Sequence, residues 1–441
     1  MPQALTVKEL KSVNPKIDLG EIDLLMALYA GGKRFEKFKP EFLIHREAET
    51  LGLANIESRL KRAQYVNRAA GLIDWIVSSA TAGKPAIIGD NPRWEELNQN
   101  SDGMGTPFSS LCRQLLADML VARWPYVEAR SIDDEPYTLW RRDPETVLDF
   151  ENNDQGGLEW IKTQVIQQAR STPFGAPDRE KVIITYYTDT DTVSYVAYRK
   201  NNQWQTEDGT PLRDQDTVSP SAADSVYGHD FEAVPIFRGN ATKTHWLMDR
   251  ISEALKAIYN TEVDLSFSLS QCAYAQLIFI LENVKRANQI TRSEAGAWVL
   301  QVGEKAEYLA PPNTAFEGLF RNLERLTKSL GESLQMMAAE TAAIPQAGRL
   351  SGLAVQEHRK PLDSLVAAIV WPVRDMLQRA LDQIAYVEGI DAPTITGLGD
   401  GPEIEIENMP IMAKDEEEES GRGEDYGSAE GSTEARTTRQ E

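Results

Sequence analysis

The chain has 441 residues, 41% hydrophobic and 26% charged, and a formal net charge of −22, of which residues 413–441 carry ten acidic and four basic side chains. That length allows a sizeable core and more than one domain, and the negative charge argues against tight sequence-specific DNA binding, which draws its affinity from clustered Lys and Arg; charge of this sign also keeps a protein soluble. No run of about eighteen apolar residues suggests a membrane span, the first residues lack a signal peptide's apolar stretch, and Cys112 and Cys272 are too few for a disulfide framework or a zinc site, as expected of a protein made in a reducing cytoplasm.

In chain order, Gly20–Tyr29 reads as an amphipathic segment, and Lys33–Lys39 as a basic patch on a solvated loop in preference to a phosphate contact. The spacing of Ile56, Leu60, Ala63, Val66, Ala70, Ile73, Ile76 and Val77 predicts one helix over about 55–82, ended by Gly83-Lys84-Pro85. A second helix is expected over about 108–121. From Tyr126 to Phe237 the character changes to strands, at Tyr137–Trp140, Trp160–Ile166, Lys181–Tyr187 and Val193–Arg199. Turn signals at Asp189-Thr190-Asp191 and Glu207-Asp208-Gly209 make this an antiparallel meander. Gln215–Asp230 reads as a loop, and Val234–Asn240 as a short strand ending in a turn.

A helix follows over about 243–269, then a compact mixed insert at 273–312 with strand-like Ala275–Leu281 and Ala306–Leu309. Asn313-Thr314 is a cap signal for a helix with Phe316, Leu319, Phe320, Leu323, Leu326 and Leu330 on one face. After the small-residue break Ala342–Arg349, helical spacing resumes from Leu362 to Ile384, with Pro361 and Pro372 expected to bend or end that helix. Glu403–Glu407 reads as a short β segment, and the chain after Met412 has the Gly/Ser/Thr/Glu composition of disorder.

Chemistry is sparse. The four histidines, His45, His229, His245 and His358, show no metal-ligand spacing, and neither Gly31-Gly32-Lys33-Arg34 nor Gly83-Lys84-Pro85 completes a phosphate loop. Acidic groups at Asp133-Asp134-Glu135, Asp149 with Glu151, and Asp189 with Asp191 sit in turn-like contexts where such residues are common. Their convergence on metal ions would make a nuclease or phosphodiesterase, the alternative to a structural role. The long helices would also suit a minor head or scaffold protein, although their pattern keeps no strict heptad. No catalytic residue, metal site or cofactor is assigned.

Three stretches resemble one family. They are Lys61–Ala70 leading to Val77–Pro85, then Ala233–Asn240 with its Val-Pro strand, then Gly303–Pro312 followed by the helix, loop and proline-bearing helix from Asn313. Their order is similar to that of the portal proteins of tailed bacteriophages. The resemblance implies an α+β fold: a mixed wing over 1–240, a first stem helix at 241–272, a clip at 273–312, and a second stem helix at 313–340. It further implies a tunnel loop at 341–352, a kinked helix of the wing at 353–387, a short crown region at 388–412 and an acidic tail at 413–441. The family forms a ring, usually of twelve, at one capsid vertex of the virion. Double-stranded DNA passes through it without sequence specificity, with no membrane involved. The large terminase, the capsid and scaffolding proteins and a head-completion adaptor dock on it. Carried onto this chain, Ile344, Gln346 and Arg349 would face DNA, and Lys285, Arg286 and Arg292 would face terminase or adaptor.

Overall fold

The computed structural model describes residues 4–50, 56–131, 135–153, 157–169, 178–221, 227–228, 231, 233–241, 246–272, 276–280, 305–309, 314–333 and 352–399. Strand β1 (Leu5–Thr6) leads into α1 (Val7–Lys11), where Thr6 and Glu9 form a reciprocal capping box. Helix α2 (Leu19–Ala30) is capped by Asp18, whose carboxylate accepts from the Glu21 amide at 3.0 Å. Gly31, at φ +62°, then turns the chain into α3 (Gly32–Phe42). The basic patch at Lys33–Lys39 is therefore helical and not a solvated loop. The reason is spacing: Phe35, Lys39 and Phe42 share a buried side of the helix.

The single helix expected over 55–82 is two. After α4 (Glu47–Thr50), α5 (Glu57–Arg62) and α6 (Arg68–Ala80) are separated by residues 63–67. Side-chain hydrogen bonds make this break. The Tyr65 hydroxyl donates to Leu28 O at 2.7 Å, and Asn67 caps α6 by accepting from the Ala70 amide at 2.9 Å while donating to Tyr29 O at 2.7 Å. Val66, which periodicity placed on the apolar face, is 56% exposed. Strand β2 (Ala86–Ile88) and α7 (Pro92–Gln99) follow, neither of them expected from periodicity. An Asn91 cap with Pro at the first helical position was the readable signal for α7. Helix α8 (Phe108–Ala122) matches its expectation and is buried along nearly its whole length.

The strand region is antiparallel throughout, as its turn signals required. It comprises β3 (Tyr126–Arg130), β4 (Thr138–Arg142), β5 (Val147–Asn152), β6 (Leu158–Ala169), β7 (Arg179–Tyr187), β8 (Asp191–Lys200), β9 (Gln203–Gln205), β10 (Thr217–Val218), β11 (Tyr227–Gly228) and β12 (Ile236–Arg238). One sheet runs β11-β8-β7-β6-β5 with β9 on β8; another runs β12-β3-β4; and β10 pairs with β1. The expected loop at Gln215–Asp230 thus contributes two short strands.

The chain then forms α9 (Leu247–Cys272), β13 (Gln276–Ile280), β14 (Lys305–Leu309), α10 (Thr314–Ser333), α11 (Gly352–Glu388) and β15 (Thr394–Thr396). Helix α11 runs through both Pro361 and Pro372, so neither ends it. Pro372 costs the helix about 3 kcal/mol, whereas Ile369, Val370, Val373, Met376, Leu377, Leu381 and Ile384 are all buried around it. At roughly 1.5–3 kcal/mol per buried side chain, burial wins. Strand β15 pairs antiparallel with β2, Ile395 opposite Ile87, and ties residues 394–396 to the N-terminal helices.

Two cores result. The large one gathers residues from Ile17 to Leu398 and centres on α2, α6, α8, α9 and α11. The small one packs Val7 and Leu10 of α1 on Val182, Ile184, Tyr195, Ala197 and Trp204 of the long sheet. Helices supply most of the large core and antiparallel sheet most of the small one, an α+β arrangement. Residues 401–441, including the expected β segment at 403–407, lie outside the described residues.

Candidate functional site

The feature that sets this molecule apart is an arm made of α9, the hairpin β13–β14 and α10. Twenty-six residues in α9 span about 39 Å and twenty in α10 about 30 Å. The two helices pack together in opposite directions. Asn322 Nδ2 donates to Thr261 Oγ1 at 3.3 Å across their seam, and the hairpin pairs Gln276 with Leu309 and Ile280 with Lys305. Leu323, Leu326 and Leu330 of α10 face the large core, as spacing required; Phe320, placed on the same face, is 49% exposed.

The root of the arm is fixed by aromatic packing and by charge. Phe35 stacks on Tyr65 at 4.0 Å and on Phe42 at 5.1 Å, and meets the edge of Tyr259 of α9 at 5.2 Å. Burial pushes the Tyr259 hydroxyl up to about 12. Asn260 donates to Phe42 O at 2.9 Å and accepts from the Ile44 amide at 2.8 Å, so its carboxamide satisfies both sides of one backbone turn. Arg59 binds Glu49 at 2.6 Å and Asp264 of α9 at 3.1 Å, Arg46 binds the same Asp264 at 2.7 Å, and Arg68 binds Glu262 at 2.6 Å. Arg59 and Glu49 are both buried, which makes loss of either partner costly.

A second ionic layer lies under α8. Arg141 holds Asp118 through two hydrogen bonds of 2.6 and 2.7 Å, and Arg34 joins Glu145 to Asp23 of α2. Burial pushes the Asp118 carboxyl up to about 6 in spite of Arg141 beside it.

The residues singled out for function fall mostly elsewhere. Ile344, Gln346 and Arg349 of the small-residue break, and Lys285, Arg286 and Arg292 of the insert, lie outside the described residues. So do Asp133 and Asp134, His229 and His245. The described acidic pairs do not come together. Asp149 accepts from the Phe150 amide and Glu151 from Trp160 Nε1 on β5, while Asp191 closes the β7–β8 hairpin two strands further across the sheet. Among the described residues, no three His, Cys, Asp or Glu side chains are placed to hold a metal ion, and no helix is long and apolar enough to cross a membrane. Sequence reasoning missed the ionic root of the arm, because Asp264 lies some two hundred residues from Arg59 and Glu49 and each of the three reads alone as a surface charge.

No protein-family model matches the chain, and no curated protein matches it. Among solved structures, the chain is similar to a component of the virion of a native gene transfer agent particle, at 12% identity and a TM-score of 0.38, covering 78% of this chain and 83% of that one. It is similar in the same degree to a component of the neck of an empty gene transfer agent particle computed with C6 symmetry, at 13% identity and 0.38, over 76% and 87%. A component of the native particle's neck computed with C12 symmetry gives 11% and 0.37, over 77% and 83%. Likeness at these values carries no functional argument.

Proposed function

We propose that this chain is the subunit of a ring-forming portal, the head-to-tail connector of a phage-like particle, through which double-stranded DNA enters and leaves. The observation that carries the reading is the succession of parts: a mixed α/β body, an antiparallel helix pair with a β-hairpin between its members, then one long helix that returns to the body core. Sequence resemblance assigns that succession to wing, stem, clip and stem, and two long helices packed together and continued by a paired hairpin suit an arm that must transmit force along its length.

In this reading α9 and α10 are the stem, residues 273–312 the clip, 341–352 the tunnel loop, α11 the wing helix that follows it, and 388–412 a reduced crown. Arg349, with Ile344 and Gln346, meets the DNA, and Lys285, Arg286 and Arg292 meet terminase or the head-completion adaptor. The formal charge of −22 supports the same role, since a conduit that retained phosphates would hold its cargo. As the sequence resemblance implies, about twelve copies close into a cyclic ring at one capsid vertex of the virion.

Electron micrographs and native mass measurement of the purified chain provide the test. A ring with a central hole and a mass near twelve subunits is expected; a strict monomer under capsid-assembly conditions overturns the reading. Arg349→Ala, or deletion of Gln346 to Gly348, is expected to leave rings intact and impair DNA packaging. Normal packaging by both would remove the DNA-facing role of that loop.

A further inference from the structure

A cavity of about 270 Å³ opens where β12, the start of β6 and α11 meet, lined among others by Asn153, Leu158, Ile236, Arg238, Arg379 and Gln383. Arg238 is its unusual feature. Only 9% exposed, its guanidinium lies 4.2 Å from the centre of the Phe150 ring and donates to Asn152 Oδ1 at 3.0 Å. No carboxylate pairs with it among the described residues. Two further arginines crowd it. Arg379 donates to the Arg238 carbonyl at 3.0 Å, and Arg123, stacked 4.5 Å over Trp124, has a buried Nε without an acceptor among the described residues. Burial, with the charges of Arg379 and Arg123 near by, holds Arg238 below the ordinary arginine value.

An arginine taken out of water normally has a carboxylate to offset its desolvation, as Arg59, Arg141 and Arg142 do here. Arg238 has an amide oxygen and aromatic faces instead, and that leaves guanidinium N–H groups for a ligand. Across the cavity, the Gln383 carboxamide has a buried Oε1 with no donor among the described residues; turned over, the same group presents an N–H there. Asp382, the one carboxylate among the described lining residues, is exposed and already accepts from Gln378 Nε2 at 2.9 Å. A guanidinium fork matches the oxygens of a phosphate or carboxylate group.

We infer that this cavity is an oxyanion-binding site in which Arg238 and Arg379 take the oxygens of one phosphate or carboxylate group. The oxyanion has two sources, inorganic phosphate from solution or an acidic side chain of a second copy of this chain.

Thermal unfolding of the full chain in sodium phosphate against sodium chloride at equal ionic strength distinguishes them, with Arg238→Met and Arg379→Gln as variants. Phosphate from solution predicts a saturable rise in Tm of about 1–3 °C in the parent, lost in both variants. The acidic side chain of a second copy predicts no phosphate response, and a sedimentation coefficient that falls in both variants at a concentration where the parent is assembled. Arg379 is partly exposed and paired within its own helix, so Arg379→Gln decides the matter alone should Arg238→Met fail to fold. A phosphate response equal in parent and variants, or no response together with unchanged sedimentation, overturns the site. A ring in the micrographs neither requires nor establishes it, so the two ideas fail separately.

Discussion

The body and the arm are held by different means. The body core draws side chains from Ile17 to Leu398, so removing one contact leaves many others that constrain the same elements. The arm beyond its root has a narrower basis: the seam between α9 and α10, and the ladder between β13 and β14. Its root belongs energetically to the body, through the Phe35–Tyr65–Tyr259 cluster and the charges around Arg59 and Asp264. The division gives a base held by the body and a shaft whose stability is local.

The sharpest way to break the comparison is at the base. Phe35→Ala removes a side chain 1% exposed that touches three other rings, and is expected to cost about 4 kcal/mol of global stability. Urea unfolding followed by tryptophan fluorescence checks it; a loss confined to local opening of α9 would put the base outside the body's cooperative unit. Next in size is Asp118, deep in the body. Folding raises its carboxyl from 3.8 to about 6, so the native state holds a proton that the unfolded chain releases. Its contribution is full below about pH 4 and is lost as pH rises through 6, a change of about 3 kcal/mol. Asp118→Asn is expected to flatten that part of the pH profile. Urea midpoints of parent and variant from pH 4 to 7 provide the comparison, and parallel profiles would remove Asp118 as the cause.

In the seam, Leu330→Ala is expected to cost about 2 kcal/mol, since Leu330 is where α10 enters the large core. Hydrogen exchange should show faster exchange along 314–333 with little change in α8. Equal loss of protection in both helices would make the arm part of the body's cooperative unit.

How much of this was legible in the sequence depended on whether the signal was local. Helix α8 and strands β6 to β8 follow from periodicity and turn residues alone. The break between α5 and α6 did not, because the acceptors of Tyr65 and Asn67 lie on α2, nearly forty residues away. Strands β2 and β15 are three residues each and mutual partners across three hundred positions, too short to show alternation. That Pro372 does not end α11 was hidden for the same reason, since the burial that outweighs its missing donor is set by packing partners elsewhere in the chain. The basic patch at Lys33–Lys39 hid a helix because its charges masked the Phe35–Phe42 spacing. As for function, periodicity located the arm, but buried Arg238 and the two arginines near it left no signal beyond one cation closing an apolar strand.

The smallest expected effect tests the seam most directly. Asn322 Nδ2 reaches Thr261 Oγ1 at 3.3 Å, a long hydrogen bond between two neutral groups. Thr261 is buried and its own hydroxyl donates to Ala257 O at 2.9 Å. Losing Asn322 therefore leaves no unsatisfied donor on Thr261, so only the net value of one neutral hydrogen bond is at stake, about 0.5–1 kcal/mol. Arg325 also loses the Asn322 side-chain oxygen it now contacts at 3.1 Å, but that pair is exposed and contributes little. Asn322→Ala should consequently leave the global unfolding midpoint almost unchanged. Exchange of the amides around 322 should quicken by about threefold. Thr261→Val separates register from hydrogen bonding, because it keeps the shape and removes the acceptor. If that variant matches Asn322→Ala in exchange, the bond itself sets the local stability of the seam. If Asn322→Ala instead destabilises the whole chain by more than about 2 kcal/mol, the arm and body unfold as one.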